Sequence, residues 1–238
     1  MKILIVNDDS IHAPGIALLA QKAMEFGDVY VVAPSQQCSA MSQRLTLSTK
    51  MLVREAEDFP VAVKGAWHVT GTPVDCVRVA LSYILKEKPD IVFSGINNGY
   101  NAGYETAYSG TLGAAFEAVR NGIPAIAFSS ANDSHLEAIA PHVSGVIAEL
   151  IASEAGEGQV WNVNFPALRN RPLMGILRDR PLARTCMFTD LYIETGREDG
   201  AVVITCTGTH TPDELLGEGT DAKAVRDGYI SIGRVRAF

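Results

Sequence analysis

The chain has 238 residues, 47% of them hydrophobic, and a formal net charge of −7 at pH 7, which describes a globular protein of one or two domains with room for a substantial core. An acidic balance without clustered Lys and Arg excludes a surface built for nucleic-acid backbone. No apolar run is long enough to span a bilayer.

Ile3 to Val6 is a short aliphatic block rich in β-branched residues, the pattern of a strand buried on both faces. It is too short for a signal peptide and ends in acids. Asp8 and Asp9 stop it. Two adjacent carboxylates repel, and without compensation at least one pKa rises. A bound cation answers that repulsion; a plain turn and helix cap at Asn7 to Ser10 is the other reading of these residue types. Pro14 and Gly15 then lead into a helix carrying Ile16, Leu19, Ala20 and Ala23 at helical spacing, stopped by Gly27. Val29 to Ala33 is a second buried strand, completing a βαβ unit with parallel strands. No GxGxxG lies between them, which argues against a dinucleotide site.

The small polar loop Pro34 to Ser42 leaves the C-terminal end of the second strand, beside Asp8 and Asp9. Arg44 to Lys64 alternates apolar residues with turn residues, predicting a hairpin or excursion. Trp67 to Val69 reads as a strand, with His68 a strand residue rather than a ligand. Pro73 opens a helix predicted to continue through VDCVRVALSYILKE. The strand DIVF, ending at Phe93, precedes the richest loop, SGINNGYNAGYETAYSGT. Its glycines 95, 99 and 103 permit close backbone approach, and its asparagines 97, 98 and 101 supply neutral amide groups. Ser109, Gly110 and Thr111 then start a helix ended by Gly122. Such a turn exposes backbone N–H groups that suit a phosphate, or is an ordinary Ser/Thr cap.

Ile123 to Phe128 is the next strand, followed by SSANDS and a helix from about His135 to Glu154. His135 and His142 are expected to be solvated. Val160 to Phe165 is a further strand, ended by Pro166. This alternation predicts an α/β fold: a three-layer sandwich around a Rossmann-like, mostly parallel sheet. Beyond Pro166 the texture changes to the strand-like pieces ILRDRP, DLYIETG and AVVITC. A short helix capped by Thr220 and stopped by Gly228 then leads to a last strand. We expect one domain over 1–238, with a core of about 1–165. A β-rich C-terminal extension of about 166–238 would append to the sheet and pair with a partner chain. The cysteines at 38, 76, 186 and 206 form no CxxC pair, so reduced thiols, not zinc, and a cytoplasmic location are expected.

Ligands of a parallel sheet bind at the carboxyl ends of its strands. That rule gathers Asp8 and Asp9, the 34–42 loop and the 94–111 loop into one crevice of hard oxygen donors, suited to Mg²⁺, Mn²⁺ or Ca²⁺. Metal-assisted phosphoester hydrolysis is the natural chemistry. Six segments then carry a resemblance: NDDSIHAPGI (7–16), APSQQCSAMS (33–42), VTGTPVDCV (69–77), SGINNGYNAG (94–103), YSGTLGAAFEA (108–118) and the closing TDAKAVRDGYISI. In this order, nearly end to end, they resemble the SurE family of survival proteins, metal-dependent nucleoside monophosphatases. The resemblance implies 5′- or 3′-nucleotidase activity, with short polyphosphate as a second substrate. It implies one divalent ion per subunit, Mg²⁺ or Mn²⁺, held by Asp8, Asp9, Ser39 and Asn97. Asn101, Ser109, Gly110 and Thr111 carry over as the phosphate residues, and dimers or tetramers are implied through the C-terminal segment.

Two departures stand out. The family's second loop reads close to PDRNRSG, whereas Pro34 to Ala40 keeps the serine and loses the arginines and the glycine. The tail ends GRVRAF instead of a short Thr-Pro ending. Asp8 and Asp9 are the expected catalytic residues, with Asp9 the preferred base, since no histidine is placed to serve. Two rivals stay open on these residues: an aspartyl-phosphate phosphatase of the haloacid dehalogenase type, although position 10 is Ser where DxD is needed, and a non-enzymatic receiver-like phosphoacceptor.

Overall fold

The computed structural model describes residues 1–131, 136–168 and 172–237; Asn132 to His135, and with them the expected start of the long helix, lie outside the described residues. The strands are β1 Lys2–Val6, β2 Asp28–Pro34, β3 Val53–Glu55, β4 Gly65–Val69, β5 Ile91–Asn98, β6 Ala125–Ser130, β7 Gln159–Phe165, β8 Gly175–Leu177, β9 Phe188–Glu198, β10 Ala201–His210 and β11 Tyr229–Arg236. The helices are α1 Pro14–Ala23, α2 Pro73–Val79, α3 Gly110–Arg120, α4 Leu136–Ile151 and α5 Asp221–Arg226. Among the described residues, nine strands form one sheet in the order β3-β4-β2-β1-β5-β6-β7-β11-β8. From β4 to β7 all neighbours are parallel.

Side chains alternate across a strand, so β1 feeds two cores. Ile3 and Ile5 join a cluster with Ile16 and Leu19 of α1 and with Ile139, Val143 and Val146 of α4. Leu4 and Val6 join Cys76 and Val77 of α2 and Leu112, Ala115 and Ala118 of α3 on the other face. All four β1 side chains are fully buried, each contributing about 1.5–3 kcal/mol relative to exposure. This is the expected helix–sheet–helix sandwich.

Two elements differ from the predicted ones. The helix opened by Pro73 was expected to reach Glu87, but it is α-helical only to Val79 and closes with a wide turn at Ala80–Ile84. The Ser82 hydroxyl donates to the carbonyl of Arg78, and the Leu85 N–H bonds the Ala80 carbonyl five residues back. Such back-bonding bends a helix, and Pro89 keeps the chain extended ahead of β5. β5 does not end at Phe93 but runs to Asn98 through a bulge. Ser94 pairs with Ala127 and Asn97 with Ser129, so two residues on β5 oppose one on β6. Gly95 permits this, because its φ is +134° and a Cβ there would lie 2.2 Å from the Phe128 carbonyl oxygen.

Past Pro166 the chain appends to the sheet, as expected. β11 is antiparallel to β7 and parallel to β8, so it completes the main sheet, with Ile230 and Ile232 in the first core. Among the described residues, only β9 and β10 stand apart, as an antiparallel hairpin. Leu191, Tyr192, Ile193, Val202 and Ile204 on this arm are exposed, and an isolated two-stranded hairpin is marginal in water.

Candidate active site

The carboxyl end of β1 projects Asp8 and Asp9 over the sheet edge, and every loop expected there is bonded to them. Asn7 Nδ2 donates to the Ser10 carbonyl (2.8 Å), closing a turn in which Ser10 takes a left-handed φ of +94°. A non-glycine residue there is strained, a condition that collects at functional sites. Ile11 N–H bonds the Pro34 carbonyl at the end of β2 (2.9 Å), and Cys38 N–H bonds the Asp8 carbonyl (2.7 Å). The second loop is thereby held on the first. Asn98 N–H donates to Asp9 Oδ2 (2.7 Å), which brings the bulged end of β5 to the same carboxylate.

α3 closes the other side. Ser109 caps it by accepting the Leu112 N–H (3.0 Å), and a Cβ on Gly110 would lie 3.0 Å from Asp8 Cβ and Oδ2. The helix N-terminus therefore runs directly against the Asp8 carboxyl. Thr111 Oγ1 donates to Asp8 Oδ1 (2.7 Å), and Ser94 Oγ donates to the Thr111 carbonyl (2.8 Å). Thr111 was expected at the phosphate; its buried hydroxyl and its backbone N–H both bond the Asp8 carboxyl and so orient it. Ser42 N–H bonds the Tyr108 carbonyl (2.9 Å), joining the second loop to the approach of α3.

Ser39 is exposed and accepts from Gln37 Nε2 (3.0 Å). Asn97 donates its amide nitrogen to the Gly99 carbonyl (2.8 Å), which leaves its amide oxygen as the group available to a cation. Asn101 is the most constrained of the set. Its N–H donates to Asn164 Oδ1 (2.9 Å), its carbonyl accepts from Asn162 Nδ2 (2.8 Å) and Asn164 Nδ2 (3.1 Å), and its own Nδ2 donates to Ser129 Oγ (2.8 Å). Sequence reasoning missed Ser129, Asn162 and Asn164. The signal available was two asparagines at alternate positions of an otherwise apolar strand, VWNVNF.

The electrostatics are those of a site awaiting positive charge. Asp8 is 4% exposed. Burial pushes its carboxyl up to about 7, the Asp9 charge adds to the rise, and the Thr111 hydroxyl opposes it. Burial also raises Asp9, against the pull of the Asn98 N–H and the Gln37 side chain. Among the described residues, no Lys, Arg or His makes an ion pair with either carboxylate. No three His, Cys, Asp or Glu side chains cluster together among the described residues. Two carboxylates with a hydroxyl and an amide oxygen close by fit a hard divalent cation.

Fold and site together define a class: a doubly wound α/β protein that sets two uncompensated carboxylates against a helix N-terminus at its switch edge. The family described as Survival protein SurE matches residues 3–186. The 5′-nucleotidase SurE of Polaromonas naphthalenivorans is 40% identical, over 98% of this chain and 90% of that protein. The 5′-nucleotidase SurE of Flavobacterium psychrophilum is 36% identical, over 97% and 89%. The crystal structure of the SurE protein from Aquifex aeolicus superposes with a TM-score of 0.83 at 31% identity, covering 99% of this chain and 93% of that one. The chain belongs to the SurE family. No helix among the described residues is long and apolar enough to cross a membrane.

Proposed function

We propose that this protein is a divalent-metal-dependent phosphomonoesterase acting on nucleoside monophosphates, a 5′-nucleotidase that also takes 3′-nucleotides and short polyphosphate. One observation carries the reading: Asp8 is buried against the α3 N-terminus beside the half-buried Asp9, and no Lys, Arg or His among the described residues makes an ion pair with either. The names of the relatives in Polaromonas and Flavobacterium support it.

Asp8, Asp9, Ser39 and Asn97 would hold one Mg²⁺ or Mn²⁺ ion. Bound there, such an ion would neutralise the carboxylates and supply Lewis acidity toward phosphate and water. The rest of the chemistry belongs to the chain. Thr111 fixes the Asp8 carboxyl in one orientation through its hydroxyl. Asp9, raised in pKa and held by the Asn98 N–H, takes the proton from the attacking water. The Ser109 hydroxyl and the Gly110 N–H, at the start of α3, would face the equatorial phosphoryl oxygens with the positive end of the helix dipole, while Thr111 keeps both its hydroxyl and its N–H on Asp8. Asn101 orients the phosphate from the other side, its backbone immobilised by Asn162 and Asn164.

The exposed apolar arm of β9 and β10 is proposed to pack on a second copy, giving a homodimer or homotetramer. Buried thiols at Cys38 and Cys76 suit a reducing cytoplasm. Phosphate release from AMP, 3′-AMP and short polyphosphate, assayed with Mg²⁺, Mn²⁺ or chelator, tests the activity. Metal-dependent multiple turnover on AMP, abolished in Asp8→Asn, is expected. Turnover that survives chelation, or a near-normal Asp8→Asn enzyme, overturns it.

A further inference from the structure

A third carboxylate reaches the phosphate loop from the far end of the chain. Asp221, the first residue of α5, is 2% exposed. Its Oδ2 accepts the Gly103 N–H (3.0 Å), and its Oδ1 accepts the N–H groups of Ala183 (2.8 Å) and Ala222 (2.7 Å). Three backbone donors from three segments thus converge on one side chain. Around it, Ala102 is buried in a small cluster with Ala183, Met187, Leu216, Ala222 and Val225. Gly103 has φ +56°, and a Cβ there would lie 2.2 Å from the Thr185 carbonyl oxygen. Tyr104 N–H bonds that same carbonyl (3.1 Å). Residues 102–104 are therefore moored to the C-terminal segment, immediately after Asn101 and before the Ser109 turn.

We infer that Asp221 is a positioning residue for the phosphate site, setting the limb from Asn101 to Gly103 against the Asp8–Asp9 edge. The inference rests on the proposed function for its reaction and on the hydrogen bonds above for its geometry. The two oxygens do different work, which makes the role separable from folding. An asparagine that keeps Oδ1 toward Ala183 and Ala222 preserves the α5 side of the knot and aims its NH₂ group at the Gly103 N–H. Two donors then face each other at the loop alone. Turned the other way, it leaves two buried N–H groups unpaired, so the first orientation is favoured.

The test compares wild type, Asp221→Asn and Thr220→Ala. Thr220 caps α5 through Lys223 N–H (3.3 Å) without touching the loop, so its loss reports a merely structural change. In saturating Mn²⁺ and well below each Tm, Asp221→Asn is expected to lose on the order of 10²-fold in kcat/KM for AMP, the scale of a misplaced reacting group. Its calorimetric Mn²⁺ affinity should stay at the wild-type value, and its backbone amides at 101–104 should exchange faster. Thr220→Ala should lower Tm and keep kcat/KM. The inference is overturned if Asp221→Asn keeps wild-type kcat/KM, or if both variants lose activity in proportion to Tm. Should Asp221→Asn not fold, hydrogen exchange on wild type decides: amides at 101–104 protected like those of α5 support the mooring, and freely exchanging ones refute it. Wild type inert on AMP would refute the nucleotidase reading alone, and the exchange comparison would still judge the mooring.

Discussion

The buried acid pair makes the metal-free protein sensitive to pH in a direction opposite to ordinary acid denaturation. The Asp8 carboxyl is pushed up to about 7 by burial in the folded state, against 3.8 for a free aspartate. Between those values the folded state holds a proton that the unfolded chain has released, so stability falls as pH rises through the window and levels off above it. From pH 5 to pH 7 the shift spans about two pH units at 1.36 kcal/mol each, so Asp8 costs about 3 kcal/mol by neutral pH. Asp75, Glu87 and Glu149, whose pKa values are lowered, contribute stability that is lost only at more acid pH. Asp9, Glu105 and Asp221 are raised by burial and add to the same slope as Asp8. The difference between wild type and Asp8→Asn isolates the one group. Asn keeps an oxygen for the Thr111 hydroxyl and carries no charge. Urea unfolding in chelator at pH 5 and pH 8 should show Asp8→Asn gaining about 3 kcal/mol on wild type across that interval. Mn²⁺ should stabilise wild type at pH 8 and leave the variant unmoved. Parallel pH profiles for the two proteins would refute the claim that Asp8 is a buried charge awaiting a cation.

Other expectations use the same contacts. Thr111→Val removes the donor on Asp8 while keeping the shape; a charged hydrogen bond of about 1.5–3 kcal/mol predicts a roughly 10- to 100-fold loss in kcat. Because the lost donor had held Asp8 down, the acidic limb of the pH–rate profile should move up, and an unmoved limb would count against that role. Ser10→Gly relieves the left-handed φ and should raise stability by about 1 kcal/mol in urea titration; destabilisation would show that the Ser10 side chain contributes more than its strain costs. Replacing Leu191, Ile193, Val202 and Ile204 of the arm with Ser or Thr should lower the mass measured by light scattering without lowering the Tm of the α/β core, and an unchanged mass would exclude the arm as the contact.

How much of this was legible in the sequence depends on how far apart the interacting residues lie. The aliphatic run at Ile3 to Val6, the apolar stripes of α1, α3 and α4, and the caps at Ser109 and Thr220 are local patterns. Burial and backbone hydrogen bonding act on them within a turn or two of chain, so spacing alone foretold them. The meeting of Asp8, Asp9 and the loops after β2 and β5 was equally readable, because parallel strands all deliver their carboxyl ends to one edge. What a side chain does at that edge was not. Thr111 and Asp8 are separated by 103 positions, Asn101 and Asn164 by 63, Gly103 and Asp221 by 118. No periodicity records a hydrogen bond across such distances. The bulge that carries β5 to Asn98 depends on the space left beside Phe128, and β11 found its place against β7 through strand pairing that local pattern does not encode. Composition and period determined the layers and the acidic edge of this protein. The order of strands at the C-terminal side, and which groups orient Asp8 and Asn101, were decided only when the folded sheet brought distant donors and acceptors within 3 Å of each other.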